Sequence, residues 1–331
     1  MNEMTKTDLQ LFKTIAQMKQ SSLLKTLPKL LLKYYSKDKI IVTKDYILCG
    51  EGDIPIMLTA HMDTVFKSPP SKIYYDTKQK VMWSPQGLGA DDRAGIFAIL
   101  KILQKGYRPA ICFTTDEERG SLGAMKLIKD FKTSPFYLKY IIELDRRGMN
   151  DCVFYSCDND LFTEYVESFE FVTNWGTFSD ISTICPEWGI AGVNLSVGYL
   201  DEHSVIETLN TCALYSTIGK VQEMLDDHEH ITPFEYVADF PSLYSNVFEG
   251  YNFDKQRLYQ CCSCRKIFSG DDVFPVKSKS VKNAIKYYCI DCVADKVNWC
   301  VACGEPFEVQ SPADTLCPDC AGIDLPQTFI Y

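Results

Sequence analysis

Nowhere does the chain run 18 apolar residues together, so no segment reads as a membrane-spanning helix. Its start, Met1 to Phe12, is polar and partly acidic and lacks the apolar core of a secretory signal; a cytoplasmic protein with no membrane partner is the expectation. Histidine is scarce, four in 331 residues, which gives weight to any histidine at a strand end. Basic charge is missing where nucleic acid would need it. Residues 46–254 carry sixteen Lys and Arg against thirty-one Asp and Glu, an imbalance that argues against nucleic acid and suits divalent cations. Residues 1–45, with nine Lys against four acids, are basic, and residues 255–331 balance at nine against nine. Cysteine is plentiful but uneven: nine of fifteen lie between Cys261 and Cys320, and in a chain without a secretory signal that density reads as metal ligation rather than disulfides.

The length allows a sizeable core and one or two domains. Residues 5–35 read as amphipathic helix, apolar along Leu9, Leu11, Phe12, Ile15, Met18, Leu23, Leu24 and Leu27, with a solvated lysine face and a break or kink expected at Pro28. Strands and helices then alternate. Ile40–Thr43 and Tyr46–Cys49 read as a hairpin. Ile54–Ala60, Ala110–Thr114, Tyr137–Leu144 and Gly189–Ser196 read as strands; Asp92–Gln104, Ser121–Phe131 and Leu161–Phe169 read as helices. A long helix is expected over Ser204–Leu225, opened by a capping box of Ser204 and Glu207. The alternation implies an α/β fold with a mixed, largely parallel sheet sandwiched by helices. Residues 226–256 read as a linker that partly packs down, in which His228 and His230 are solvated.

In open α/β folds ligands gather beyond the carboxyl ends of the strands. His61-Met62-Asp63 follows the first core strand, Gly89 to Arg93 precedes the buried helix, and Asp116-Glu117-Glu118 follows the next strand. Asp145 and His203 follow two further strands. Two-metal hydrolysis wants such a set: nitrogen and oxygen ligands, one bridging carboxylate, and a carboxylate left off the metals to move a proton. Adjacent Glu117 and Glu118 can split the duties of base and ligand, and Asp63 can hold the His61 tautomer.

These motifs, "LTAHMDTV" (58–65), "GLGADDRAGI" (87–96), "CFTTDEERGSLGA" (112–124), "IIELD" (141–145) and "SVGYLDEHS" (196–204), resemble those of the co-catalytic zinc exopeptidases of peptidase clan MH, which include tripeptide aminopeptidases and related amidohydrolases. The resemblance covers about residues 40–225. It implies His61, Glu118, Asp145 and His203 as zinc ligands, Asp91 as the carboxylate bridging two zinc ions, Asp63 as the group orienting His61, and Glu117 as general base and acid. It also implies a cis peptide between Asp91 and Asp92. The substrate would be a short peptide or, alternatively, a non-peptide N-acyl compound; Co²⁺ or Mn²⁺ also suits so carboxylate-rich a site. Two-lobed relatives insert a lid between the last two ligands. Here Asp145 and His203 are too close in sequence for one, so a single-lobed, open cleft is expected. Arg146 and Arg147 stand as candidates for a substrate carboxylate, with neutralisation of nearby acids the favoured reading. Asp180, in the expected cleft wall 176–199, stands equally as a contact for a substrate amine or as a turn residue.

The C-terminal pairs Cys261/Cys264, Cys289/Cys292, Cys300/Cys303 and Cys317/Cys320 have the C-x-x-C spacing that puts two thiolates on one metal, and two pairs complete a structural Cys₄ zinc site. Residues 257–331 thus read as a module of two zinc ions. "CIDCVADKV" (289–297) looks like the second knuckle of a treble-clef finger, which favours sequential over cross-braced pairing. A protein partner suits the module better than nucleic acid. An adaptor in which the hydrolase fold is only a scaffold is the reading from another class, and the retained Glu117 speaks against it.

Overall fold

The computed structural model describes residues 3–50, 53–238, 258–269, 272–278, 285–300, 306–309 and 314–317. The chain divides into two compact units, Met1–Asp239 and Phe240–Tyr331.

The first unit begins with two helices, α1 (Lys6–Ala16) and α2 (Gln20–Leu31). Thr5 caps α1 by accepting from the Asp8 N–H at 3.1 Å. The expected break at Pro28 is not there: Pro28 lies inside α2, and the chain turns instead at residues 17–19. The break falls where the buried stripe of Phe12, Ile15 and Ala16 must give way to that of Leu23, Leu27 and Leu31.

The strands are β1 (Ile40–Val42), β2 (Tyr46–Cys49), β3 (Ile54–His61), β4 (Tyr74–Asp76), β5 (Val81–Trp83), β6 (Pro109–Thr114), β7 (Tyr140–Arg146), β8 (Asp151–Val153), β9 (Val172–Thr173), β10 (Gly192–Ser196), β11 (Tyr199–Leu200) and β12 (Thr208–Asn210). Helices α3 (Ala90–Gln104), α4 (Leu122–Asp130), α5 (Asp160–Glu167), α6 (Asp180–Trp188) and α7 (Thr211–Asp226) intervene. Eight strands form one sheet in the order β1-β2-β6-β3-β7-β10-β8-β9. Its centre, β6-β3-β7-β10, is parallel, and β1, β2 and β8 join antiparallel. This is the mixed, largely parallel sheet that the sequence implied. The run Ile56–His61 is buried residue by residue, as a strand covered on both faces must be. Cores of apolar side chains cover the two faces: α1, α3 and α7 contribute Phe12, Phe97 and Leu214 to one, and α4 and α6 contribute Leu127 and Ile184 to the other.

Two expectations fail around β10 and α7. The strand expected from Gly189 begins at Gly192, because residues 180–188 form α6 and Gly189 ends it with φ +68°. The helix expected from Ser204 begins at Thr211. Asn210 caps it, accepting from Cys212 and Ala213 N–H, while Ser204 donates to Asp201 O and Thr208–Asn210 forms β12. Strands β11, β12, β5 and β4 form a second, four-stranded antiparallel sheet. The segment after α7 packs down through Ile231, Phe234 and Tyr236. His228 Nδ1 there meets Leu225 O, and His230 Nδ1 meets Asp227.

The second unit contains β13 (Leu258–Gln260), β14 (Ile267–Ser269), β15 (Val273–Lys277), β16 (Ile285–Cys289), α8 (Ile290–Lys296), β17 (Val297–Trp299) and β18 (Pro306–Glu308). Strands β16-β15-β18-β17 form a small sheet, and β13 pairs with β14. Cys261 and Cys264 lie in the β13–β14 turn, while Cys289 and Cys292 stand at the start of α8.

Candidate active site

The carboxyl ends of β3, β6, β7 and the β11–β12 loop converge on the N-terminal end of α3. There the Asp91–Asp92 peptide bond is cis, as the resemblance implied. Gly95, one turn into α3, has no room for a side chain, since a Cβ would meet Leu144 O at 2.1 Å. That close approach lets α3 press its first turn against β7.

His61, fully buried at the end of β3, is held on both sides. Its Nδ1 lies 3.2 Å from Asp63 Oδ1, and its Nε2 lies 2.9 Å from Asp91 Oδ1 and 3.4 Å from Asp145 Oδ1. His203, half exposed on its loop, brings Nε2 to 3.0 Å from both Asp91 Oδ2 and Glu118 Oε2. The two oxygens of Asp91 therefore face different sets: His61 with Asp145 on one side, His203 with Glu118 on the other. Glu117 Oε2 stands 4.0 Å from His61 Nε2. Asp63 does more than orient His61: its two oxygens also accept the N–H groups of Glu117 and Glu118, at 3.0 and 3.1 Å. One carboxylate thus fixes both the imidazole and the turn that carries the two glutamates.

The electrostatics are those of too many acids for the cations at hand. Burial pushes the Glu117 carboxyl up to about 9, with Asp145, Asp180 and Asp91 adding to the rise against the pull of His61. Burial also lifts Asp145 to about 7. Burial alone would raise Asp91 as well, but hydrogen bonds to His203 and His61 hold it below the usual carboxylate range. Hydrogen bonds to Asp91 and Glu118 raise His203 to about 11. Glu118 Oε1 is buried without a partner. Crowded, dehydrated carboxylates with an orphaned oxygen are costly unless positive charge joins them. The nitrogen and oxygen donors fit divalent ions: ligand atoms of His61, Asp91 and Glu118 lie within 4.8 Å of one another, as do those of His61, Asp92 and Asp145. Asp92 is otherwise committed, its oxygens accepting from His61 N–H at 3.2 Å and Gly95 N–H at 2.8 Å.

Several residues that hold this site escaped sequence reasoning. Glu207, fully buried, accepts from Gly89 N–H and, at 3.0 Å, from Asp91 N–H, so it pins the backbone that presents Asp91. Burial raises it to about 7. Tyr199 donates to Asp145 Oδ1 at 3.0 Å. Arg93, buried, spends its guanidinium on the carbonyls of Met62, Asp63 and Met18, tying the turn between α1 and α2 to the His61 loop. One pleat below the ligands runs a second polar row, Cys112, Thr59, Glu143 and Asn194, in register across β6, β3, β7 and β10. Ser179 links the rows, donating to Glu143 and lying 3.3 Å from Asp145 Oδ2.

The remaining candidates have other partners. Asp180 is wholly buried and accepts from Thr114, so it offers nothing at the cleft surface. Arg147 pairs with Glu202 at 3.0 Å, and Arg146 donates to Trp175 O at 3.0 Å. In the second unit, the sulfurs of Cys261, Cys264, Cys289 and Cys292 lie within 4.8 Å of one another. Cys300 and Cys317 are buried together around Phe307, while Cys303 and Cys320 lie outside the described residues.

No family model matches the sequence, and no curated protein does. Solved structures do. A tripeptidase from Staphylococcus aureus subsp. aureus Mu50 matches with TM-score 0.54 and 15% identity, covering 68% of this chain and 98% of that one. Aminopeptidase PepT from Bacillus cereus ATCC 10987 gives 0.51 and 15%, covering 67% and 98%. The TET1 peptidase of Pyrococcus horikoshii gives 0.51 and 14%, covering 66% and 99%. At these identities the likeness is one of fold: the chain carries the α/β architecture on which those peptidases are built.

Proposed function

We propose that the protein is a two-metal peptidase acting as an exopeptidase, an aminopeptidase in preference, with zinc as its metal. The observation that carries this reading is Asp91, whose two carboxylate oxygens each face a histidine and lie between two ligand sets. His61, Asp145 and Asp91 would hold one ion; His203, Glu118 and Asp91 would hold the other. Bound there, a pair of zinc ions would acidify an attacking water and polarise the scissile carbonyl.

The chain's own residues do the rest. Glu117, free of the metal sets and shielded from water, takes the proton of the attacking water and passes it to the leaving amine. Asp63 keeps the His61 proton on Nδ1, leaving Nε2 free to ligate, and holds Glu117 at a fixed distance through the turn's N–H groups. Tyr199 and Ser179 keep Asp145 from turning away. Among the described residues, the segment between Asp145 and His203 adds strands and helices to the body rather than a separate lobe, and His203 keeps about half its side chain exposed at 53%. The cleft is therefore open. The four sulfurs of Cys261, Cys264, Cys289 and Cys292 would hold a structural zinc, which supports sequential pairing, with Cys300, Cys303, Cys317 and Cys320 as the second site.

The test is amino-acid release from a library of dipeptides and tripeptides in added zinc, comparing wild type with Glu117→Gln. Release by wild type and a loss of at least about a hundredfold in the variant is expected, and the residue released identifies the end cut. No release by wild type from any peptide would sink the exopeptidase reading and turn attention to N-acyl amides.

A further inference from the structure

A general base acts only from the right place, and a misplacement of about 1 Å can cost about a hundredfold in rate. Glu117 opens a single 3₁₀ turn, Glu117–Arg119, between β6 and α4. From one side Asp63 accepts the N–H groups of Glu117 and Glu118. Before the turn, Thr115 gives both its N–H and its hydroxyl to Asp45 O, at 3.0 and 2.9 Å. Asp116 stands between these two anchors in the left-handed region, with φ +53°. A residue with a side chain is strained there and stays only where its surroundings hold it.

The hold comes from a residue 96 positions away in sequence. Gln20, the first residue of α2, accepts the Asp116 N–H on Oε1 at 3.1 Å and donates from Nε2 to Asp116 Oδ1 at 3.4 Å. Asp116 thus presents one donor and one acceptor, and the amide tip of Gln carries one of each to match; Glu would offer acceptors alone and Lys donors alone. Gln20 is itself anchored. Two residues before it, Met18 O accepts from Arg93 Nη2 at 3.1 Å, and Arg93 also holds the carbonyls of Met62 and Asp63. The α1–α2 turn is therefore joined both to the loop bearing His61 and to the turn bearing Glu117. Asp116 Oδ1 also meets Arg119 Nη1 at 3.4 Å, but Arg119 belongs to the same turn and is 72% exposed, so that pair ties the turn to nothing else and contributes little.

We propose that Gln20 is a positioning residue for the general base: it fixes Asp116, and through Asp116 the direction in which the turn presents the Glu117 carboxylate. The inference rests on the peptidase reading above and adds a residue, outside the motifs that carry the metal ligands, on which the chemistry depends. The N-terminal helices thereby serve the active site as well as covering the sheet. Gln20 reaches the reacting atoms only through the turn, so its loss leaves substrate binding in place and weakens proton transfer. The effect falls on kcat, with KM little changed. A hydrogen bond that merely added stability would act differently, lowering the melting temperature while leaving the turnover of each folded molecule unchanged.

The experiment uses the full-length protein at saturating zinc with a short peptide that wild type cleaves. Gln20→Met keeps the length of the side chain and removes both hydrogen bonds; it is expected to lower kcat about tenfold with KM within about twofold of wild type. Gln20→Glu keeps an acceptor for the Asp116 N–H but sets carboxylate against carboxylate, and a similar loss is expected. Adding Asp116→Asn to Gln20→Glu supplies the missing donor in a residue suited to positive φ, and is expected to bring kcat back to within about threefold of wild type. An unchanged kcat in Gln20→Met, a loss confined to KM, or no recovery in the paired variant overturns the proposal. If wild type cleaves no peptide, the peptidase reading fails by itself, and Gln20 is judged on amide exchange followed by nuclear magnetic resonance. Gln20→Met must then speed exchange at Asp116, Glu117 and Glu118 together; acceleration at Asp116 alone, or at none of them, overturns the claim that Gln20 holds the turn.

Discussion

In the first unit Phe12, Leu27, Phe97, Phe113 and Tyr140 are all fully buried, and most of the apolar residues between them belong to one contiguous core. The described core of the second unit is two small clusters. In one, Cys261 and Cys289 lie with Val276, Tyr288 and Val297; in the other, Cys300 and Cys317 lie with Phe307. In the first unit cysteines such as Cys49 and Cys112 are buried as ordinary apolar side chains, and burial raises both thiols, Cys49 to about 12. In the second they gather in a quartet. On the proposed reading, metal would mean different things in the two places: a reagent on a finished scaffold in one, the centre of the fold in the other.

The sharpest way to break that comparison is to remove all metal. Complete chelation is expected to abolish amide-exchange protection in β15, β16 and α8, since so small a unit would draw most of its folding energy from bound ions. Protection in β3, β6 and β7 is expected to survive. A second unit that keeps its protection without metal, or a first unit that melts with it, would end the distinction.

Next in size comes the chemistry of the first unit. Glu117→Gln is expected to lower kcat by at least about a hundredfold while leaving the melting temperature and the zinc content of both units unchanged. Loss of zinc in that variant would make Glu117 a ligand and reverse its division of labour with Glu118.

Glu207→Gln tests the frame around the metals. An amide has one acceptor oxygen, so either Gly89 or Asp91 N–H would lose its partner. About a tenfold weakening of zinc at the first unit is expected, the usual scale for groups that hold ligands from behind. Dialysis against graded chelator followed by metal analysis reads it, with the cysteine-held zinc as internal control. Equal loss from both units would mean a global defect rather than a loosened Asp91.

What was legible in the sequence follows from how locally each feature is encoded. The strand ends announced themselves because an apolar run such as Ile54–Ala60 stops at His61-Met62-Asp63, and the candidate ligand His61 stands at that stop. Helix α3 was legible from its composition, being apolar on most sides. Glu207 was misread because Ser204 and Glu207 have the spacing of a capping box, and nothing local says that the carboxylate is claimed by Gly89 and Asp91 N–H groups 118 and 116 residues away. Asn210 would have given the true start of α7, since it precedes the stripe of Leu214, Ile218, Val221 and Leu225. Helix α6 was hidden by Pro186 inside it and by residues read as cleft wall. The polar row of Thr59, Glu143 and Asn194 exists only in the sheet register, which no single strand encodes. Strands of two or three residues, such as β11 and β12, carry too little pattern to be seen alone.

The smallest effect concerns what holds the N-terminal helices to the first unit. Asp8 on α1 meets Lys101 Nζ of α3 at 2.7 Å and the Tyr215 hydroxyl of α7 at 2.8 Å, and is 6% exposed. Burial by itself would raise the Asp8 carboxyl, but hydrogen bonds from Lys101 and Tyr215 outweigh it and hold the group below its unfolded value of 3.8. A carboxyl depressed in the folded state binds fewer protons there than in the unfolded chain. Its contribution is therefore complete above 3.8 and fades as pH falls through the lowered folded value. Asp8→Asn, which leaves the Lys101 ammonium without its carboxylate, is expected to cost about 1–2 kcal/mol at neutral pH. The gap between wild type and variant should hold steady from pH 7 to about 5 and close below about 4. Acid would also release any metal held by the cysteines of the second unit, so the gap must be read from a first-unit probe, exchange in α3 for instance. A gap that widened on acidification would mean that the Asp8 carboxyl is raised rather than depressed, and that α1 is held by packing of Phe12 against Phe97 alone.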